Sequence, residues 1–315
     1  MDPAIKQEFE LMLEDNARAS SPFKATDLVW SNLSRVFCER LTKDGIATVE
    51  SQAFNASFAS YPRSDRRYQR YSATLGDPAG TYDRACELYY RRLKDLDVHD
   101  VLIKTNLSDT SMRSGMQTNV DGKWVTWDYL LSVEEVITML QLESRLLSEH
   151  LTVVDLGAGW GRIAHVLMTL NPRLSYVIAD IPVSLIIAQA YLPQHVPTAT
   201  IIPYTKNRDV KSFDRGTLQS GEIRFCGAQD LARFADASVD VFINVFSFQE
   251  MTMQQVTEYV DIVDKIAQGG LLYHQQRLKG DVLTRENFPC KLDWSPQLDR
   301  LSIFSPAYFE AAYTI

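Results

Sequence analysis

One glycine-rich turn constrains the fold of this chain more than any other stretch. Residues 151–167 read LTVVDLGAGWGRIAHVL, in which an apolar run is followed by three glycines within five positions and then by apolar residues at helical spacing. Gly157 and Gly159 permit a tight turn and let a ligand approach the backbone closely, and Gly161 lets the following helix pack against a sheet. We therefore expect a buried strand, a ligand-binding turn and a helix, in that order.

Short apolar runs and helical segments alternate from residue 151 to the end of the chain. This alternation predicts an α/β fold with a mostly parallel sheet between helices, because nearly continuous apolar strands are buried on both faces. The predicted strands are 152–157, 175–180, 222–227, 240–246 and 270–276, with a last strand from Tyr308 to the terminus. The predicted helices between them are 161–170, 182–192 and 252–267.

The first 150 residues have a different texture, rich in helix formers and aromatic residues. Helical spacing occurs in 26–41 and 83–97, which are separated by a polar connection at 54–80. Residues 127–150 are predicted to form one long helix that leads into the glycine-rich turn. The expected domains are a mainly helical N-terminal extension, residues 1–126, and a second domain, residues 127–315.

Charge and cysteine content exclude several classes of protein. The formal net charge is −8 over 315 residues, whereas nonspecific binding of nucleic acid needs a basic face, so we expect no nucleic-acid partner. The four cysteines are far apart, as is typical of a reducing compartment. The N-terminus lacks the pattern of a signal peptide, and no run reaches the ~18 apolar residues that span a bilayer. We expect a cytoplasmic protein without a membrane span, and the sequence is compatible with a homo-oligomer.

The spacing of the glycines separates two classes of ligand. Dinucleotide-binding turns carry G-x-G-x-x-G and direct a helix N-terminus at a pyrophosphate. Here the spacing is G-x-G-x-G, and the acid Asp155 comes two residues before the first glycine. A carboxylate at this place repels a pyrophosphate and favours a cationic or neutral ligand that carries amine and hydroxyl groups.

The motif DLGAGWG after two valines resembles motif I of the class I S-adenosylmethionine-dependent methyltransferases. Asp180 ends the second predicted strand, nineteen residues after Gly161, where that family has an acid that accepts hydrogen bonds from the ribose hydroxyls of the cofactor. The resemblance covers about residues 150–275. It implies a Rossmann-like class I methyltransferase fold with a seven-stranded, mostly parallel sheet, and S-adenosyl-L-methionine as cofactor. It also implies cofactor-binding roles for Asp155, Gly157, Ala158, Gly159, Gly161, Asp180, Ile181, Ala228, Gln229, Asn244 and Val245.

Two less generic segments resemble the bacterial sugar O-methyltransferase family. They are D-I-P after the second predicted strand, residues 180–182, and S-F-Q-E-M after the fourth, residues 247–251. This resemblance implies methyl transfer to a hydroxyl oxygen of a sugar or glycoside. We expect residues 1–126, in which no motif is assigned, to cover the acceptor side. The alternatives are a methyltransferase that acts at nitrogen or at a phenol of another small molecule, and a noncatalytic cofactor-binding protein of the same fold. A nucleic-acid base methyltransferase is disfavoured, because N-P-P-[YF] is absent after the fourth strand.

A sugar hydroxyl is a weak nucleophile at neutral pH, so its methylation needs a base or a metal. The candidate catalytic residues are His274, near the end of the fifth predicted strand, and Glu250, in the turn after the fourth. Each has a structural alternative: His274 as a histidine bonded to a neighbouring loop, and Glu250 as an acid at a helix N-terminus. The candidate acceptor-binding residues are Gln249, Trp127 and Arg113. There is no H-x-x-x-H or H-x-x-E spacing and no acid pair after the fourth strand, so we expect no metal site.

Two N-terminal segments are candidates for a cover over the acceptor. The Arg- and Tyr-rich segment 61–71 is either a surface that holds sugar and phosphate groups or a solvated basic loop. The segment 110–130 contains Gly115 and Gly122 as turn signals, with two tryptophans nearby, and predicts a hairpin or lid.

Overall fold

Helices and strands alternate along the second half of the chain in the order that its apolar runs predict. The computed structural model describes residues 3–19, 81–105, 118–280, 282–303 and 305–315. The predicted helix 26–41, the segments 54–80 and 61–71, and Arg113 lie outside the described residues. The helices are α1 (Pro3–Arg18), α2 (Thr81–Leu96), α3 (Val101–Lys104), α4 (Trp127–Leu142), α5 (Arg162–Leu170), α6 (Pro182–His195), α7 (Tyr204–Asn207) and α8 (Met253–Ile266). The strands are β1 (Thr118–Val120), β2 (Lys123–Val125), β3 (Thr152–Leu156), β4 (Ser175–Asp180), β5 (Thr200–Ile202), β6 (Glu222–Gly227), β7 (Val241–Val245), β8 (Leu271–Arg277), β9 (Ser295–Leu301) and β10 (Tyr308–Thr314).

The central sheet has the order β5-β6-β4-β3-β7-β8-β10-β9. Neighbouring strands from β5 to β8 are parallel, and β10 runs antiparallel to both β8 and β9. The strand order reverses between β3, which pairs with β4 on one side, and β7 on its other side. Open sheets of this kind bind ligands outside the carboxyl ends of the strands at such a reversal. The glycine-rich turn follows β3 and therefore lies at this position.

The predicted α/β class is confirmed, but the predicted number of seven strands is wrong, because the central sheet of the described residues has eight. The two strands that the apolar runs do not reveal, β5 and β9, lie at the two edges of the sheet. β5 is only three residues long, and β9 is polar, largely exposed and contains Pro296. An edge strand is covered on fewer sides and tolerates proline, so it lacks the apolar signal of a central strand.

The long helix predicted for residues 127–150 is interrupted. α4 ends at Leu142, and after Glu143 the chain forms a short 3-10 helix, Ser144–Leu147. The Glu143 carboxylate accepts a hydrogen bond from the backbone N–H of Arg145 and forms an ion pair with its guanidinium. The chain must turn here to enter β3, and this tertiary requirement overrides a sequence that consists of good helix formers.

Two apolar cores cover the two faces of the sheet. α4, α5 and α6 pack on one face, against side chains such as Val153 and Ile243, and α8 packs on the other, against Phe242 and Leu272. α8 begins with reciprocal hydrogen bonds between Thr252 and Gln255, which is the capping pattern expected of a helix start. The sheet is thus buried on both faces, as its nearly all-apolar strands predict.

The described helices before residue 126 pack on helices that follow it in the chain. α1 contacts α6, and α2 contacts α4 and the β1–β2 hairpin. Asp15 of α1 accepts hydrogen bonds from Tyr204 and Arg208. The hairpin predicted within residues 110–130 is confirmed for 118–125, where Asp121 and Gly122 turn the chain with positive φ angles of 51° and 83°. The boundary at residue 126 stays a prediction.

Candidate functional site

The glycine-rich turn adopts a conformation that other residues rarely take. Gly157, Gly159 and Gly161 have φ angles of 79°, 61° and 84°. A Cβ on Gly157 would lie 2.2 Å from the Oγ of Ser247, and one on Gly161 would lie 2.7 Å from a methyl group of Leu192. Above Gly159 there is open space, with no described atom within 4 Å of a Cβ built there. The outer glycines thus serve close packing, and the middle one leaves room for a ligand.

Asp180 at the end of β4 holds this turn in place. One carboxylate oxygen accepts a hydrogen bond from the Gly159 N–H at 2.8 Å, and the other accepts one from the Ile181 N–H at 2.6 Å. Asp180 is buried, and the loss of hydration raises its pKa to about 7 in spite of these hydrogen bonds. The acid predicted to lie beside the glycine turn therefore lies there, in direct contact with the turn.

Asp155 lies two residues before the turn, inside β3. Its carboxylate accepts a hydrogen bond from the Tyr176 hydroxyl at 2.8 Å, and burial raises the pKa of Asp155 to about 7. The negative charges of Asp180 and Glu135 act on Asp155 in the same direction. A cation bound at the turn would relieve this repulsion, whereas an anion would add to it.

The residues after β6 form a short 3-10 helix, Ala228–Arg233, at the same edge of the sheet. Asp230 accepts a hydrogen bond from the Gly227 N–H at 2.8 Å, which fixes the start of this helix. The amide group of Gln229 folds back over Gly227, where a Cβ would lie 2.2 Å from it. Ala228 and Gln229 thus follow β6, which pairs with β4, the strand that ends in Asp180.

Asn244 is fully buried and ties three strands together. Its amide donates to the Leu156 carbonyl at 2.9 Å, and its side-chain oxygen accepts hydrogen bonds from the Phe248 N–H at 2.9 Å and from the Gln276 amide at 2.8 Å. These bonds join the ends of β3, β7 and β8. Asn244 therefore shapes the floor of the site and does not present its amide to a ligand. Val245, the next residue, is also buried.

Gln249 and Glu250 lie in a 3-10 turn, Phe248–Glu250, after β7. The Gln249 side-chain oxygen accepts a hydrogen bond from the Arg277 N–H at 2.7 Å, so Gln249 bridges the ends of β7 and β8. Glu250 is exposed, and its charge acts on Asp180. Glu250 thus lies within electrostatic range of Asp180.

The structure contradicts a catalytic role for His274. The ring is fully buried in mid-strand, and neither ring nitrogen has a hydrogen-bond partner among the described residues. It stacks on Phe288 at a centroid distance of 4.1 Å and meets the edge of Phe309 at 5.6 Å. Burial lowers the pKa of His274 to about 3. The ring is enclosed by aromatic side chains, and its low pKa makes it too weak a base to take a proton from a hydroxyl at neutral pH. The predicted catalytic role of His274 is therefore wrong.

Two residues that sequence reasoning missed, Arg162 and Glu135, form a buried ion pair beside the turn. The Arg162 guanidinium, in the first turn of α5, donates to both Glu135 oxygens at 2.5 and 2.7 Å and to the Ser132 hydroxyl at 3.0 Å. This pairing leaves little of the arginine's charge for an anionic ligand. Trp127, the first residue of α4, packs on Tyr89, with ring centroids 5.1 Å apart. The signal in the sequence was a pair of adjacent glutamates inside an otherwise apolar helix.

Among the residues that the structure describes, no group of three or more His, Cys, Asp or Glu side chains has an arrangement that could hold a metal ion. No helix in the described ranges has the length and apolar character needed to cross a bilayer.

The chain matches no family model and no curated protein. Solved structures similar to it include the PH0226 protein of Pyrococcus horikoshii, with 14 % identity and a TM-score of 0.42 over 62 % of this chain and 92 % of that one. A second is a SAM-dependent methyltransferase of Aquifex aeolicus, with 12 % identity and a TM-score of 0.37 over 56 % of this chain and 88 % of that one. A third is a TehB-like SAM-dependent methyltransferase of Corynebacterium glutamicum, with 13 % identity and a TM-score of 0.38 over 57 % of this chain and 86 % of that one. Likeness at this level does not establish what this chain does.

Proposed function

We propose that this chain is an S-adenosyl-L-methionine-dependent methyltransferase that transfers the methyl group to a hydroxyl oxygen of a sugar or glycoside. The observation that carries the proposal is the pairing of the open, positive-φ turn at Gly159 with Asp180, whose carboxylate is bonded to that turn at 2.8 Å. The sugar acceptor is supported by the resemblance of residues 180–182 and 247–251 to sugar O-methyltransferases.

The residues at the turn fit a cationic cofactor that carries hydroxyl and ammonium groups. Asp180 accepts one backbone hydrogen bond on each oxygen and a third hydrogen bond from the Ser184 side chain, which leaves part of its acceptor capacity for a ribose hydroxyl. Asp155 adds a second buried carboxylate, and Arg162 is held by Glu135. A pyrophosphate would meet two buried acids here, so a dinucleotide is disfavoured.

The cofactor supplies a methyl group activated by a positively charged sulfur. During transfer, the acceptor oxygen forms a bond to the methyl carbon, the carbon–sulfur bond breaks and its electron pair passes to sulfur. The hydroxyl proton must go to a base, and we assign that role to Glu250, which is exposed at the carboxyl edge of the sheet and electrostatically coupled to Asp180. Gln249 and Trp127 remain candidate acceptor contacts.

Calorimetric titration tests the cofactor. Wild-type protein should bind S-adenosylmethionine and its demethylated product, S-adenosylhomocysteine, and should not bind NAD⁺. Asp180→Asn should weaken binding at least about tenfold, because the amide cannot accept hydrogen bonds on both atoms. Asp236→Asn, in the exposed loop before β7 at the opposite edge of the sheet, is the matched control and should bind normally. A folded wild-type protein that binds neither compound would refute the proposal.

A methyl-transfer screen tests the acceptor and the base. Radiolabelled cofactor and a panel of glycosides and sugar nucleotides, with and without Mg²⁺, should give a labelled product from a hydroxyl acceptor. Glu250→Gln should lower kcat and leave the cofactor Kd unchanged, whereas Glu286→Gln, another exposed glutamate, should change neither. Full turnover by Glu250→Gln would overturn the assignment of the base.

A further inference from the structure

Gln275 in β8 carries a buried side-chain amide that nothing in the described protein satisfies. The side chain has no exposed surface, and neither its oxygen nor its nitrogen has a hydrogen-bond partner among the described residues. A primary amide offers two donors and an acceptor, and folded proteins rarely leave such a group unpaired in the interior. The His274 ring shares this feature, but aromatic side chains enclose it on the other face of the sheet, whereas Gln275 lies on the face that carries Val245 and Phe246 beside the glycine turn.

The register of the sheet determines the surroundings of Gln275. It pairs with Val245 on β7 and with Glu310 on β10, so the three side chains share the face that α4 covers. Glu310 is already engaged, since it accepts hydrogen bonds from the Tyr273 hydroxyl at 2.9 Å and from the Arg300 guanidinium at 2.5 Å. The Gln275 amide therefore lies beside a satisfied carboxylate, and no described residue is its hydrogen-bond partner.

Two aromatic rings border this position at the carboxyl edge of the sheet. Phe246 has a φ of 60°, an unfavourable value for a bulky residue, and it packs with the same core as Val245. In a regular strand these successive side chains would point to opposite faces. The strained backbone thus turns Phe246 back toward Gln275, whose carbonyl accepts a hydrogen bond from the Phe246 N–H at 2.8 Å. The Phe246 and Tyr308 rings lie 4.9 Å apart, and both are half-buried.

This aromatic pair is adjacent to the glycine turn. Ser247, the residue after Phe246, occupies the space that a Cβ on Gly157 would need. The Arg162 guanidinium lies 6.0 Å from the centroid of the Phe246 ring but is bonded to Glu135. A molecule held by the aromatic pair would therefore lie next to the cofactor that we propose for the turn.

The side chains around Gln275 distinguish two kinds of acceptor. Aromatic faces and a side-chain amide suit a ring that carries both apolar faces and hydroxyl groups. The nearby charged groups are four acids, three of them buried glutamates, and three arginines, and when ionised they leave an excess of negative charge, which repels phosphate groups. They are Asp128, Glu134, Glu135, Glu310, Arg162, Arg277 and Arg300.

We propose that Gln275, Phe246 and Tyr308 form the acceptor subsite, which binds the neutral sugar ring of a glycoside and discriminates against sugar nucleotides. This inference rests on the proposed function. The Gln275 amide hydrogen-bonds the hydroxyls of the sugar, and the two rings contact its apolar face. Because the amide is enclosed in the ligand-free protein, binding of the acceptor requires the aromatic pair to move apart.

Binding of a panel of 4-nitrophenyl glycosides and UDP-glucose tests the subsite. Saturation-transfer NMR is carried out with S-adenosylhomocysteine bound to the full chain. At least one neutral glycoside should bind, and UDP-glucose should bind more weakly. Gln275→Leu should weaken glycoside binding at least about tenfold and leave the Kd of S-adenosylhomocysteine unchanged. Tyr308→Ala should weaken it as well, whereas Tyr308→Phe, which keeps the ring, should retain it.

Urea denaturation of the ligand-free variants provides a second readout that does not depend on an acceptor. Gln275→Leu should unfold at an equal or higher urea concentration than wild type, because it removes an unpaired polar group. Gln276→Leu should unfold at a lower one, since that neighbouring amide is bonded to Asn244. Failure of S-adenosylhomocysteine to bind would overturn the proposed function itself. With that ligand bound, absence of glycoside binding, unchanged binding by Gln275→Leu, or a preference for UDP-glucose would overturn the subsite alone.

Discussion

His274 should make the stability of this protein depend on pH in a way that identifies its role. Its pKa is about 3 in the folded protein and about 6.5 in an unfolded chain. Between these two pKa values His274 is protonated in the unfolded state but not in the folded state. The free energy of unfolding therefore falls as the pH drops from 6.5 toward 3. Between about pH 8 and about pH 5 this difference removes roughly 2 kcal/mol of stability.

Urea denaturation of wild type and His274→Leu at these two pH values measures the effect. Leucine is close to histidine in volume and cannot titrate, so the variant should lack this part of the pH dependence. Burial raises the pKa values of Asp155, Asp180 and Glu134 to about 7, and these groups act in the opposite direction. They are common to both proteins and cancel when the two pH dependences are subtracted.

We expect wild type to lose roughly 2 kcal/mol more than His274→Leu on acidification. Equal losses would show that the ring can be protonated in the folded protein, and the description of His274 as a core residue would then be refuted. The variant should also bind S-adenosylmethionine as wild type does. Loss of methyl transfer with an unchanged cofactor Kd would return His274 to the list of candidate bases.

Three further outcomes follow from the geometry of the turn. Gly159→Ala and Gly269→Ala both place a Cβ in open space at positive φ, so each should lower the free energy of unfolding, measured with urea, by about 1 kcal/mol. Only Gly159→Ala should abolish binding of the cofactor, measured by calorimetry. Arg162→Met should lower the free energy of unfolding by roughly 3–5 kcal/mol, because it leaves the Glu135 charge buried and unpaired. Adding Glu135→Leu should restore most of that stability, and equal stability of the single and double variants would contradict this. Because the Asp180 pKa is about 7, cofactor affinity should fall roughly tenfold or more between about pH 8 and about pH 6. Asp180→Asn should reduce that dependence and leave the part contributed by Asp155, whose pKa is also about 7.

Much of the fold could be predicted from local patterns. The apolar runs at 175–180 and 222–227 coincide with β4 and β6, since a central strand of a parallel sheet must be apolar on both faces. The edge strand β9 could not be predicted in this way, because its exposed residues carry no such pattern. The break at Glu143 was equally hidden, since it depends on where β3 has to begin.

In the candidate site, too, some features could be predicted from the sequence and others could not. The placement of Asp180 against Gly159 followed from its position at the end of a predicted strand, because the carboxyl ends of parallel strands meet at one edge. The role of His274 did not follow, since a position in a strand does not reveal which face a side chain occupies or what encloses it. Only the packing of β8 against Phe288 and Phe309 decided that.

The sequence by itself determined the α/β class, the place of the glycine-rich turn and the acid that supports it. These features depend on the spacing of residues along the chain, which can be read directly from the sequence. The tertiary structure alone decided that Arg162 is neutralised by Glu135 and that His274 is enclosed. It also decided that the Gln275 amide, next to Phe246, has no hydrogen-bond partner in the part of the chain that the structure describes. These depend on contacts between residues far apart in the chain, and burial, which sets the cost of a charge or an unmade hydrogen bond, exists only once those contacts have formed.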